Sequence, residues 1–428
     1  MSQTGTRTAV EPFRALRYDP SRVDLARVVA PPYDVISPTE REVLIAGDEH
    51  SVVRLELPDS NQGAADLLHR WTQDGTLRRE EEPGLWWHEQ RFVGPDGVER
   101  ERAGFFAAVR LSPYDEGRIR PHEQTHASVK QGRLELMRAL RANTSPIFGL
   151  YDDPDGGPRG ALAGVAAAPP AMEVTDPDGT VHRFWPVHDP GVVRVVQDAL
   201  TDREILIADG HHRYETALAY REEQGTRDGE PVGDQPYDFI LMYLANLHGE
   251  GLALYPTHRV VMAARDVDYR FMSAFRLTEL EAGTDPREVE RLLNEVPLDT
   301  IAFALWRGPD RPPVLAQLKD AHSVMMAMPG APKALRAIDA AVLEALVLSP
   351  LLGLDGEQFL STDQIRYVRG LEAATGLVDR GEAGSAFLLR APTVQQVQAV
   401  AASGRVMPQK STYFFPKLYS GFLLNPLT

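Results

Sequence analysis

The stretch Ile205-Leu206-Ile207-Ala208-Asp209-Gly210-His211-His212-Arg213-Tyr214-Glu215-Thr216-Ala217 decides the reading of this chain. Ile205–Ala208 is a short apolar run that reads as a strand. Asp209 stands at its carboxyl end, where ligand sites of α/β proteins form. Gly210 permits a tight turn with positive φ. Tyr214, Ala217 and Leu218 then fall at i, i+3 and i+4, which predicts a helix over Arg213–Glu223 packed through that face. Gly210, His211, His212 and Arg213 are thereby placed at the helix start. Unpaired backbone N–H groups, two imidazoles and a guanidinium suit a phosphate. Asp209 is either a ligand for Mg²⁺, a partner for a hydroxyl, or simply an N-cap residue.

Around this stretch the chain alternates strands and helices. Leu85–Val93 and Glu101–Leu111 flank Gly94-Pro95-Asp96-Gly97 and predict a hairpin, as do Met172–Thr175 and Val181–Pro186. Ser51–Leu57, dense in Val and Leu, reads as a strand, and Ala64–Thr72 as a helix. A helix over Gln124–Arg141 is followed by a strand at Ser145–Tyr151. Val192–Ala199 reads as a helix, and Asp238–Leu244 and Leu252–Val261 as strands. Beyond about Asp266, helices at Asp285–Glu295 and Ala334–Val347 and buried strands at Thr300–Trp306 and Ser385–Leu389 are expected. The fold class is α/β in the α+β sense: mixed sheets with helices, not a repeating βαβ run. A boundary near 262–266 divides a region 1–263 from a region 264–428.

Composition narrows the chemistry. The 428 residues carry 45 basic and 61 acidic side chains, a formal charge of −16, and no cysteine. That excludes disulfides, Cys-ligated metals and cysteine nucleophiles. It also argues against a globally basic nucleic-acid binder. No segment has the length and hydropathy of a membrane span, and the first residues lack the apolar core of a signal peptide, so a cytoplasmic protein is expected.

Three further segments hold candidate groups. Arg120-Pro121-His122-Glu123-Gln124-Thr125-His126 has the H-E-x-x-H form of zinc hydrolases, but it opens a helix instead of lying within one. Glu123 is a candidate general base or a helix-dipole partner, and His122 and His126 are candidate metal ligands. Met407-Pro408-Gln409-Lys410-Ser411-Thr412-Tyr413-Phe414-Phe415-Pro416-Lys417 lacks the glycines of a Walker loop. It nevertheless puts Lys410 and Lys417, two of five lysines, beside Ser411 and Thr412; it is either a phosphate contact or an aromatic strand completing the core. Pro256-Thr257-His258-Arg259 offers Arg259 as an anion contact. The rigid turn Ala30-Pro31-Pro32-Tyr33-Asp34 offers Tyr33 and Asp34 to a pocket. The remaining histidines, among them His88 and His182, read as surface or core residues.

Over nearly its whole length the chain resembles a bacterial and archaeal family known as a domain of unknown function. The resemblance rests on Pro12-Phe13-Arg14-Ala15, Ala30–Ser37, His122-Glu123 with Ser145-Pro146-Ile147-Phe148, Ala208–Tyr214, Pro256–Arg259 and Met407–Lys417. Gly132 departs from it, where an acidic residue is expected. The family in turn is similar to the free-serine-kinase branch of the ParB/sulfiredoxin superfamily, with a P-H-E segment, a helix, a strand and a D-G-H-H-R turn in that order. The resemblance implies a ParB/sulfiredoxin-like core with elaborations at both ends. It also implies ATP or ADP with Mg²⁺ and an amino acid, most simply L-serine, as acceptor. Glu123 would be the base, with His211 and Asp209 as catalytic partners and Asp209 as metal ligand. Gly210, His211, His212, Arg213, Lys410, Ser411, Thr412 and Arg259 would bind the nucleotide phosphates, and His122, Tyr33 and Asp34 the substrate. The alternatives are a nucleotide-binding switch without turnover and a zinc hydrolase.

Overall fold

The computed structural model describes residues 9–123, 125, 127–228, 233–262, 272–354, 356 and 358–428. The boundary expected near 262–266 falls largely in 263–271, and Gln124 and His126 also lie outside the described residues. The chain forms two compact units: Met1–Pro121, His126–Ala253 and Pro416–Thr428 in the first, His122–Thr125 and Leu254–Phe415 in the second. No described helix is long and apolar enough to cross a membrane.

The first unit is built on a nine-stranded mixed sheet. Its strands run Ile119–Arg120, Ile205–Asp209, Ile147–Tyr151, Phe239–Asn246, Glu99–Arg110, Leu85–Val93, Val181–Val187 and Met172–Thr175, with Val10–Glu11 pairing beside Glu99–Arg110. Both predicted hairpins are present. Ile147–Tyr151 runs parallel to Phe239–Asn246 and antiparallel to Ile205–Asp209. Inward residues such as Phe105, Val109, Ile147, Ile205, Ile207 and Met242 meet the helices Pro190–Leu200 and His211–Asp228 in one core. Burying such side chains is the main stabilising term. Trp86 and Trp87 are packed on the hairpin as expected, 1% and 2% exposed.

The second unit is a six-stranded, wholly antiparallel sheet in the order Phe275–Glu279, Val314–Leu318, Ala302–Trp306, Ser385–Leu388, Thr257–Val261, Ile365–Arg369. The helices Pro286–Glu295 and Leu371–Asp379 pack on it through Val289, Leu293, Ala374 and Val378. Together the units make an α+β architecture.

Three expectations need correction. Ser51–Leu57 is not a strand, because Val53–Glu56 is helical. Val52, Val53, Leu55 and Glu56 are all buried, a pattern that does not alternate, so a two-residue period cannot serve this site. Ala334–Val347 is not one helix. It breaks into Lys333–Arg336, Asp339–Leu343 and a π-helical turn over Glu344–Leu348. The break is held by Asp339, which accepts from the Ala302 N–H at 3.1 Å and pairs with Arg390 at 2.8 Å. Leu252–Val261 divides at Pro256 into Ala253–Tyr255 and Thr257–Val261, since proline removes a ladder donor.

A cation-lined corner in the first unit and a polar knot in the second

In the first unit the strand Ile205–Asp209 carries a register shift between Ile207 and Asp209 against Ile147–Tyr151. Such a bulge re-aims a side chain. Gly149 on the neighbouring strand allows the close approach, since a Cβ there would meet Ile205 Cγ2 at 2.9 Å. Gly210 then turns with φ 97°, as its position requires, and the helix His211–Asp228 begins. Tyr214 anchors that helix: its hydroxyl accepts from the Ser112 N–H at 2.9 Å and donates to the Ser112 carbonyl at 2.7 Å.

Asp209 is clamped by two cations. Arg213 Nη2 donates to Oδ2 at 2.6 Å, and the Lys417 ammonium donates to Oδ1. Burial would push this carboxyl up, but Lys417 and then Arg213 overcome it and hold the group well below the ordinary carboxylate range. Arg213 is itself 6% exposed and also donates to the Pro146 carbonyl. Burial works against its charge, and Asp209, followed by Asp34, Tyr33 and Glu56, more than restores it. Lys417 is delivered by the returning C-terminal segment. There Arg102 Nη2 donates to the Pro416 carbonyl at 2.9 Å, Tyr419 donates to Asp178 at 2.7 Å, and Ser420 pairs with Ala30.

The Tyr33–Asp34 turn belongs to the same region. The Arg133 guanidinium lies 4.1 Å from the Tyr33 ring centroid and donates to Glu56 Oε2 at 2.8 Å. Glu56, 1% exposed, also accepts from the Thr144 hydroxyl. Burial raises the Tyr33 hydroxyl's pKa despite Arg133 and Arg213 nearby. The sequence reading missed Glu56, Arg133 and Thr144. A charged residue inside an otherwise apolar Val-Val-Arg-Leu-Glu run was the available signal for Glu56, because buried carboxylates are rare unless paired.

The second unit gathers His122, Glu123, Lys410, Ser411, Thr412 and Arg259. Glu123 pairs in parallel with Met407, and the Met407 N–H donates to the His122 carbonyl at 2.8 Å. Glu123 Oε1 accepts the Lys410 N–H at 2.7 Å, with Lys410 at φ 55°. That left-handed conformation is uncommon for a residue bearing a Cβ. His122, fully buried, shares a hydrogen bond through Nε2 with Thr412 Oγ1 at 2.8 Å. Ser411 donates to Pro408 O at 2.6 Å. Arg259 is 2% exposed and donates to the carbonyls of Thr257, Lys410 and Gln409 at 2.5, 3.2 and 3.3 Å, over the Tyr367 ring. It therefore braces the segment instead of presenting an exposed anion contact. The expected site residues thus fall into two groups: Tyr33, Asp34, Asp209, Gly210, His211, His212 and Arg213 in the first unit, and the rest in the second.

The corner does not fit a protein-held Mg²⁺. Both Asp209 oxygens are taken by cations, and the described residues contain no group of three or more His, Asp or Glu able to hold a metal ion. His122 Nε2 is engaged by Thr412, and His126, the other ligand of the zinc pattern, lies outside the described residues.

These features define a two-unit α+β protein with a cation-lined strand-to-helix corner. The chain belongs to the family described as "Protein of unknown function (DUF1015)", whose model matches residues 10–340. No curated protein matches the chain. Among solved structures it is similar to a conserved hypothetical protein from Pyrococcus furiosus, at 16% identity and TM-score 0.35, covering 74% of this chain and 92% of that chain. It is also similar to a free serine kinase in complex with AMP, at 15% identity and TM-score 0.34, covering 72% and 86%. A third likeness is to SbnI with a C-terminal truncation from Staphylococcus aureus, at 11% identity and TM-score 0.36, covering 75% and 87%.

Proposed function

We propose that the chain is a nucleotide-dependent phosphotransferase that moves a phosphoryl group between a nucleotide and a hydroxyl-bearing small molecule, with free L-serine as the favoured acceptor. The observation that carries this reading is the Asp209–Arg213 corner, in which a Gly210 turn opens an 18-residue helix beside Lys417 and Arg213. Phosphoryl transfer needs positioning and charge neutralisation more than covalent help from the protein. The first amides of the helix and the two cations supply both. The ordered P-H-E and D-G-H-H-R segments support the same reading through their resemblance to free serine kinases of the ParB/sulfiredoxin superfamily.

In the reaction the acceptor oxygen attacks the terminal phosphorus. The bond from that phosphorus to the bridging oxygen breaks, and the nucleotide leaves with the electron pair. Glu123 is assigned the acceptor's proton on the strength of the resemblance. Asp209 keeps Lys417 and Arg213 oriented, and their charge turns toward the phosphates when these bind. The same residues serve the reverse direction.

The test is incubation of the protein with ATP or ADP and L-serine, with and without added Mg²⁺, followed by mass spectrometry for O-phosphoserine. Product formation, reduced roughly 10²- to 10⁴-fold in Glu123→Gln with nucleotide binding retained, is the expected result. Nucleotide bound without turnover, and unaffected by Glu123→Gln, assigns the protein instead to a non-catalytic switch.

A further inference from the structure

The first unit also contains a cavity of about 640 Å³. It opens where the strand Glu99–Arg110 ends and Phe239–Asn246 begins, with Arg110 and Phe239 paired in register. The strand Ile147–Tyr151 separates Phe239–Asn246 from Ile205–Asp209, so the cavity and the Asp209 corner stand on strands two positions apart. Its size is that of clefts which take small organic ligands.

The lining gathers three guanidiniums, those of Arg14, Arg79 and Arg110, with the side-chain carboxylates of Glu11 and Asp234 and the terminal oxygens of Thr428. Arg110 is committed: it pairs with Asp234 at 2.6 Å, donates to the Gly233 carbonyl at 2.7 Å, and lies over Phe239 at 4.5 Å. Glu11 accepts from Gln197 at 2.8 Å, and burial raises its pKa. Arg14 and Arg79 differ. Arg14 donates to the main-chain oxygen of Glu81 and Arg79 to a terminal oxygen of Thr428, and neither is paired with an acidic side chain among the described residues. A guanidinium has five N–H donors in a planar fork that matches carboxylate and phosphate, so a single acceptor oxygen leaves most of that capacity unused. Phe13, Pro12 and Phe239 supply apolar wall beside them. Pro12-Phe13-Arg14-Ala15 is, moreover, a segment singled out in the sequence that the Asp209 corner does not use.

We propose that this cavity is a second ligand site, taking a small organic anion whose carboxylate or phosphate is held by Arg14 and Arg79 and whose apolar body lies against Phe13 and Phe239. The site is separate from the nucleotide corner and does not depend on its chemistry.

Isothermal titration of the full chain with phenyl phosphate and with benzoate tests this, with benzamide as the neutral analogue. At least one anion should bind at one equivalent, benzamide should not, and the stronger of the two anions identifies the headgroup. Arg14 and Arg79 are both exposed, so the Arg14→Gln/Arg79→Gln variant keeps the fold. It should weaken binding roughly tenfold or more. An Arg14→Lys/Arg79→Lys variant keeps the charge without the fork and should fall between. Gly210→Ala should leave this binding unchanged. No binding of either anion, equal affinity in the Gln variant, or loss of binding in Gly210→Ala would overturn the proposal.

Discussion

Replacing Lys417 with methionine removes one of two cations from a mostly buried carboxylate. The Lys417 side chain is 12% exposed and that of Asp209 15%. A charge-assisted hydrogen bond in such a setting is worth about 1.5–3 kcal/mol. Stripping a buried carboxylate of its only partner costs roughly 3–5 kcal/mol, but Arg213 remains on Oδ2, so the lower range applies. Lys417→Met should therefore destabilise by about 2 kcal/mol, which at roughly 2–4 °C per kcal/mol lowers Tm by some 4–8 °C. Asp209→Asn leaves two cations facing each other and should cost at least as much. The double variant should cost clearly less than the two single costs added together, with a coupling of about 1–2 kcal/mol. The measurement is urea unfolding of the four proteins at pH 7. Acid adds a second readout. The folded Asp209 carboxyl titrates below its unfolded value, so its contribution is complete above about pH 4 and is lost as the pH falls further. In Lys417→Met the folded carboxyl moves back toward its ordinary value, and that loss becomes shallower. A coupling within about 0.5 kcal/mol of zero would refute the clamp.

Other consequences follow from the buried histidines, Glu344 and Gly132. Burial first, then Arg259, lowers His258 to a pKa of about 4, and burial lowers His88 and His182 as well. The unfolded chain takes up these protons first, so stability is complete above about pH 6.5 and falls as the pH drops toward 4; His258 alone contributes roughly 3 kcal/mol of that loss, readable by urea unfolding from pH 7.5 to 4.5. Burial raises Glu344 to about 7 against the pull of Arg259, so its penalty grows as the pH rises above the ordinary carboxylate range and is complete above about 7. Glu344→Gln should stabilise at pH 8 by about 1–3 kcal/mol and by little at pH 5, and equal effects at both would contradict the assignment. Gly132 lies in the helix Ala127–Leu140 with open space where its Cβ would be. Gly132→Ala should raise stability by about 0.5–1 kcal/mol, and a loss would show that the position needs glycine.

Much of the first unit was legible because its signals are local. Turn residues between alternating runs gave both hairpins, and a strand-Asp-Gly-helix junction gave the corner with Asp209 at the strand end. What sequence reading missed depends on distant partners. Glu56 sits in a Val-rich run that looks like a strand, yet its carboxylate is satisfied by Arg133 and Thr144, far along the chain, and that pairing fits a helical turn. The strands Phe275–Glu279 and Ile365–Arg369 carry arginines and half-exposed positions typical of sheet edges, which blunts their hydrophobic pattern. Arg259 looked like an anion contact because an arginine at a strand end has that chemistry. Only the path of the Gln409–Lys410 carbonyls shows where its donors go. Lys417 stood out as a scarce lysine, but its partner Asp209 is 208 residues away.

The most direct test of the proposed nucleotide corner is calorimetric titration of ADP into the wild-type chain and into Gly210→Ala. A Cβ on Gly210 would meet the Arg213 guanidinium at 3.1 Å, on a backbone at φ 97°. The variant therefore disturbs the turn and the cation together while leaving the sheet intact. The account predicts ADP binding to the wild type that weakens at least roughly tenfold in a folded Gly210→Ala protein. Undetectable ADP binding to the wild type, or equal affinity in the two, would contradict it.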